Sequence, residues 1–233
     1  MTTPTLLLTR PRPSAQAFLA RLQVNALARV RVVASPLMKI AATDGVARLD
    51  PESSVIFTSA NGVQHAPMGE GRKAFCVGEN TSAQARARGW NAQFAGENAK
   101  ELIATLTANP PKEGLLHLAG VHTRGEIAET LSAAGIQTTY QALYDQILTP
   151  LTPAAYAALK GPCIVPVFSA RSAAQLADQA AGQLGLARLI ALSDAVASPL
   201  RGERVANLTV LPAPRMQYMC KEVEKLCLAC SLP

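Results

Sequence analysis

Aromatic residues are scarce in this 233-residue chain: they make up 4%, with one Trp and five Phe. Platforms for single-stranded nucleic acid need rows of stacking rings, so that class is set aside. Long apolar runs are missing as well, and none approaches the ~20 residues of a membrane span. The first such run, Leu6-Leu7-Leu8, is too short for a signal-peptide core and is cut off by Arg10-Pro11, so a cytoplasmic protein without membrane attachment is expected. Runs of basic residues are absent too. Lys and Arg exceed Asp and Glu by 22 to 16, giving a net charge of +6. Scattered in this way, the excess suits a small acidic ligand better than nucleic acid. The cysteines, five in number, provide no even disulfide framework and read as reduced thiols. Cys227 and Cys230 form a C-x-x-C without a second pair or a nearby His, and His65, His117 and His122 have no metal-ligand spacing. No metal site is predicted, and the three histidines read as ordinary surface or core residues.

What is present is an Ala-, Leu- and Val-rich chain, 49% hydrophobic, with one feature that occurs twice. Val55-Ile56-Phe57 runs into Thr58-Ser59-Ala60-Asn61-Gly62 and then into helical sequence, a strand-to-helix corner. A weaker copy is Ile164-Val165-Pro166-Val167-Phe168-Ser169-Ala170-Arg171-Ser172. In parallel α/β sheets such corners lie at the carboxyl ends of strands, where ligands bind and helix-start amides meet anions. The duplication and the length favour two domains.

Taken in order, Thr5 to Thr9 is a buried strand, and Ser14 caps a helix whose core positions are Ala17, Phe18, Leu22 and Ala26. Strands follow at Val30–Val33, Val55–Phe57, Ala74–Val77, Trp90–Phe94, Gly114–Leu118 and Ile136–Leu143, with helices between them from Val55 onward. Among those helices, Ala83–Arg88 closes at Gly89, one capped by Asn98 is stopped by Asn109-Pro110-Pro111, and Glu126–Ala134 closes at Gly135. Residues 40–50 are mixed and carry no clear pattern. The second half reads as helix 153–159, strand 163–167, helix 170–181, strand 188–192, helix 195–200, strand 205–211 and helix 217–228. Alternation at this spacing is the signature of doubly wound parallel sheets. Two extended, proline-marked stretches, Ala34–Leu37 and Tyr144–Pro150, read as crossings between domains. The first domain is then discontinuous, residues 1–35 plus 149–233, and the second, 36–148, is inserted with flanking linker strands.

Leu7-Leu8-Thr9-Arg10-Pro11, Phe57-Thr58-Ser59-Ala60-Asn61-Gly62-Val63, Val77-Gly78 with Thr81, Gly120 with Arg124-Gly125-Glu126, and Leu143-Tyr144 together resemble the uroporphyrinogen-III synthase family over nearly the whole length, in order. The resemblance implies two α/β domains with flavodoxin-like halves, joined by a two-stranded linker. It also implies a lyase without metal or organic cofactor that cyclises hydroxymethylbilane to uroporphyrinogen III, inverting ring D and losing water. The expected protein is a monomer taking its substrate from hydroxymethylbilane synthase.

By the same resemblance Tyr144 is the acid that assists departure of the hydroxyl, facing the interdomain cleft, against the alternative of a tyrosine that packs the hinge. Thr81 binds a carboxylate or water, or is a plain cap. Ser59, Asn61 and their counterpart Ser169 contact substrate or cap helices locally, and Gly78, at the corner with Thr81, and Gly120, at the corner with Arg124, are expected among the substrate-binding residues. Arg10, Arg124 and Arg171, at predicted strand ends, either meet acidic side arms or are surface arginines. The segment Ser193–Val196 departs from the family, which commonly has glycine and threonine at those two positions, and the tail 216–233 is unlike it. A non-catalytic synthase-like module that holds a tetrapyrrole or another polyanion therefore stays open, as does a hinged solute receptor, which would usually be exported.

Overall fold

The computed structural model describes residues 3–44, 49–50, 53–122 and 126–230. It divides into two compact units, Met1–Lys39 with Leu148–Pro233, and Ile40–Ile147.

Unit 1 begins with β1 (Thr5–Leu8), whose four residues are all buried. Helix α1 (Arg12–Leu19) starts on Pro11, with proline in its first turn, where a missing N–H costs nothing. Ser14 is therefore inside the helix and does not cap it. The core positions are Ala15, Phe18, Leu22 and Ala26, whereas Ala17 is exposed, two residues and so more than half a helical turn from Ala15, and a short α2 (Val24–Leu27) follows α1. Strand β2 (Arg31–Ala34) lies beside β1 in parallel register, Leu6 opposite Val32.

The chain passes into unit 2 within β3 (Met38–Ala42), which runs into the stretch without a clear sequence pattern, and continues with β4 (Ser54–Phe57), α3 (Ala60–His65), β5 (Lys73–Val77) and α4 (Glu79–Ala87). These are followed by β6 (Asn91–Gly96), α5 (Ala99–Ala108), β7 (Leu115–Gly120), α6 (Ile127–Ala133) and β8 (Thr138–Leu148). Helix α4 starts four residues earlier than its sequence pattern indicates. Gly78 stands at its N-cap with φ 77°, a conformation that glycine adopts without strain, and supplies no capping side chain for sequence reading to find. The expected cap on α5 is present, Asn98 Oδ1 accepting from Glu101 N at 3.0 Å.

The chain re-enters unit 1 within β8 and completes it with α7 (Pro153–Leu159), β9 (Cys163–Val167), α8 (Ala170–Gln179), β10 (Ala187–Ala191), the single-turn α9 (Asp194–Ala197), β11 (Asn207–Val210) and α10 (Met216–Leu228). Its sheet runs β11-β10-β9-β1-β2, all parallel, which is the order 2-1-3-4-5 of flavodoxin-like folds. Helices cover both faces, giving one core around Leu7, Val165, Leu176 and Leu189 and another around Leu6, Phe18, Ile190 and Val223.

The second sheet runs β3-β8-β7-β4-β5-β6. Its five parallel strands, counted in chain order from β4, have the order 3-2-1-4-5 rather than the flavodoxin one. Strand β3 is antiparallel at the edge: Thr43 N donates to Leu143 O, while Thr149 N donates to Leu37 O. Two cores again flank the sheet, one around Phe57, Trp90, Leu118 and Tyr144, the other around Ile56, Leu102 and Leu131. In both sheets the strand order reverses at one point, between β1 and β9 and between β4 and β7. Doubly wound folds bind ligands outside the carboxyl ends of the strands at such a point.

Candidate active site

Strands β4 and β7 of unit 2 end side by side at the reversal point, and three of the residues singled out in the sequence, Ser59, Gly120 and Tyr144, meet there. Ser59 follows β4 and caps α3 from an extended backbone, its Oγ accepting from Gly62 N at 3.3 Å. The same Oγ is 2.9 Å from the Tyr144 hydroxyl, and either oxygen can be the donor. Gly120 ends β7, and a Cβ built on it would fall 2.6 Å from Tyr144 Cε2 and 2.7 Å from Cζ. The phenol therefore lies directly over a backbone that only glycine leaves bare.

What points Tyr144 this way is an irregularity in strand pairing. Leu118 pairs with Gln141 and Ala119 with Ala142, so regular alternation would set Leu143 opposite Gly120. The register slips by one residue at this step, and Tyr144 takes that place. Such extra residues re-aim side chains and are frequent beside active sites. The expected cleft-facing phenol is consequently packed into its own unit and only 4% exposed. Backbone bonds fix it further, with Val121 N donating to Tyr144 O at 2.9 Å.

Two residues not singled out as site residues in the sequence complete this arrangement. The His65 ring lies 5.3 Å from that of Tyr144, tilted by 34°, with Nδ1 2.9 Å from Asn61 O. On the opposite side of β8, Tyr140 donates its hydroxyl to Gly120 O at 2.7 Å and rests against the edge of His117. The only sequence signal for His65 is its spacing four residues after Asn61, one helical turn. Burial, and then the neighbouring Tyr144 and Glu129, push the Tyr140 phenol above its ordinary value. Burial pushes the His117 imidazole down to about 4, so it is neutral near pH 7, and its Nε2 is 3.4 Å from Thr58 Oγ1.

The other candidates of unit 2 are placed less centrally. Asn61 is in α3 and meets His65 through its carbonyl. Thr81 is the third residue of α4, buried at 6% exposure, rather than in a loop before a later helix. Gly78 N donates to Gly96 O, tying the α4 cap to the next strand. Arg124 lies outside the described residues. Past the end of β7, His122 Nε2 is 3.5 Å from Asp145 Oδ1.

Unit 1 carries its own constellation at its reversal point. Arg10, just past β1, stacks its guanidinium 4.0 Å over the ring of Phe168, just past β9. Burial, and secondarily the like charge of Arg21, hold Arg10 below the ordinary arginine value. Ser169 caps α8, its Oγ accepting from Ser172 N at 3.1 Å and donating to Ser172 Oγ at 2.9 Å. Arg171, in the first turn of α8, has a buried Nη1 with no hydrogen-bond partner among the described residues. An arginine poised over an aromatic ring, a second with an unused donor and a helix start form a set of groups suited to carboxylates. At the end of β10, Ser193 precedes α9 without a side-chain capping bond.

Among the described residues no group of three or more His, Cys, Asp or Glu could hold a metal ion, and no helix is long and apolar enough to cross a membrane. The described cysteines are all free thiols, and burial raises Cys76, Cys163 and Cys227 to between about 11 and about 12.

The family model described as Uroporphyrinogen-III synthase HemD matches residues 25–221. No curated protein matches the chain by sequence. Among solved structures, the uroporphyrinogen-III synthetase of Helicobacter pylori 26695 is similar, with TM-score 0.67 at 16% identity, over 96% of this chain and 99% of that one. A mutant uroporphyrinogen III synthase from the extremely thermophilic bacterium Thermus thermophilus aligns with TM-score 0.52 at 13% identity, over 97% and 98% of the two chains. At these identities the structures speak for the fold alone, and the matched family model is what bears on kinship.

Proposed function

The chain belongs to the uroporphyrinogen-III synthase HemD family, and from that premise we propose which of its groups carry the reaction. The enzyme is a lyase of tetrapyrrole biosynthesis that cyclises hydroxymethylbilane to uroporphyrinogen III, with inversion of ring D and loss of water. Departure of the terminal hydroxyl from ring A leaves an electrophilic azafulvene. The substituted carbon of ring D attacks it, and the spiro intermediate fragments and recloses with ring D turned over. Free in water, the open chain closes without inversion. Restraint of the substrate's conformation is therefore the main contribution asked of the protein, and protonation of the departing oxygen is the second.

Tyr144 is the source of that proton. The observation that carries this reading is its hydroxyl 2.9 Å from Ser59 Oγ, at the reversal point of the sheet and over a glycine that admits no side chain. Because the two oxygens share a hydrogen bond, a proton leaves the pair through whichever of them meets the substrate oxygen. Ser59 is only half-buried and gives the pair its outlet. Asn61, Gly78, Thr81 and Gly120 shape this end of unit 2. Arg10, Ser169 and Arg171 of unit 1, together with Arg124, bind the acidic side arms, of which the substrate has eight. The net charge of +6 draws such a ligand in. We read the protein as a cytoplasmic monomer that takes the substrate from hydroxymethylbilane synthase. A substrate that closes wrongly by itself favours a short transfer.

The test is isomer analysis of freshly generated hydroxymethylbilane incubated with the purified chain. Type III product is expected, and type I product alone would refute a catalytic role.

A further inference from the structure

His65 ends α3 with its Nδ1 2.9 Å from the carbonyl oxygen of Asn61. A carbonyl only accepts, so the hydrogen sits on Nδ1 and the neutral ring keeps its lone pair on Nε2. That nitrogen has no hydrogen-bond partner among the described residues, and the residue is only half-buried. The ring as a whole is held against Tyr144, 5.3 Å between centroids. A basic nitrogen of fixed tautomer thus stands beside the phenol read above as the acid.

The reaction needs such a group. Breaking the C–O bond of the hydroxymethyl carbon takes a proton from the acid and releases water. Forming the last ring bond breaks a C–H bond on ring D, whose electron pair restores the pyrrole while the hydrogen departs as a proton. One proton is given and one returned, and the acid is regenerated only if something accepts the second. We propose that His65 Nε2 accepts the proton released on ring closure and returns it to the Tyr144–Ser59 pair. Substrate then goes to product and water with no net change in the enzyme. This inference rests on the reading of Tyr144 as the acid.

The experiment compares turnover of hydroxymethylbilane by the full chain and by His65→Ala, with the folded state checked by thermal melting. General-base contributions are large, so a fall in kcat of about tenfold or more is expected. Added imidazole should restore part of it, whereas thiophene, similar in size but not basic, should not. A smaller fall, or equal restoration by thiophene, would show a packing role and overturn the proposal. Should His65→Ala not fold, His65→Gln takes its place. It retains an N–H donor of similar reach but no basic atom, and the same loss is expected. Tyr144→Phe assayed in parallel separates the two claims. Loss there with full activity in His65→Gln removes His65 alone, and full activity in both removes the acid as well.

Discussion

Gly120 lies directly beneath the ring of Tyr144, and no methyl group fits between them: its Cβ would be 2.6 Å from Cε2. Gly120→Ala should therefore displace the phenol from Ser59. The expected cost is about 1–3 kcal/mol of stability, as for an overpacked core, together with a fall in kcat of about tenfold or more. Denaturant unfolding and turnover assays read the two effects separately. A variant with unchanged kcat would mean that the position of the phenol does not matter.

Ser59 has two partners, Gly62 N and the Tyr144 hydroxyl. Ser59→Ala removes a helix cap worth roughly 1 kcal/mol and leaves the buried phenol unpaired, a further cost of about 1–3 kcal/mol. Ser59→Thr retains the hydroxyl. Recovery of both stability and turnover in the threonine variant, measured against alanine, is the expected pattern, and a threonine variant as slow as alanine would contradict the shared-proton pair.

Arg171 Nη1 is buried without a partner among the described residues, so Arg171→Leu sacrifices no hydrogen bond to them at that nitrogen. If its work is to bind a carboxylate, KM rises about tenfold, the worth of one charge-assisted hydrogen bond, while kcat holds. Steady-state kinetics at two salt concentrations checks this, since the binding contribution should shrink as salt screens it. An unchanged KM would return Arg171 to a surface role.

Acid should weaken unit 2 in two steps. Burial depresses His117 from 6.5 to about 4. Its neutral form is favoured by the fold, and the stability this gives is complete above pH 6.5 and lost as pH falls through about 4. Glu113, bonded first by Lys73 and also by Ser54, drops from 4.5 to about 2. Its contribution is complete above pH 4.5 and is lost toward pH 2. Urea unfolding of His117→Gln should show a shallower decline than the parent chain between pH 6.5 and 4. Parallel curves would assign the acid loss to other groups.

The order of elements was legible because their boundaries carry local chemistry: Asn98 as a cap, Gly89 and Gly135 after helices, Pro36 before β3 and Pro150 after β8. Where a boundary is made by backbone alone, the reading failed. Gly78 starts α4 through its positive φ, with no side chain to announce it, and Pro11 at the cap with Pro13 in the first turn of α1 outweighed Ser14 as a start signal. The site was half legible for a related reason. Corner residues such as Ser59 and Gly120 follow from strand-to-helix punctuation. The direction of Tyr144 depends on a register slip against β7, a tertiary feature that alternation within β8 cannot reveal, and His65 joins the site only because of that slip.

The most direct test is Tyr144→Phe, which deletes one oxygen and keeps the ring over Gly120. With freshly made hydroxymethylbilane, the rate of type III formation should fall about tenfold or more while the melting transition stays cooperative. Type III product formed at the parent rate would contradict the account.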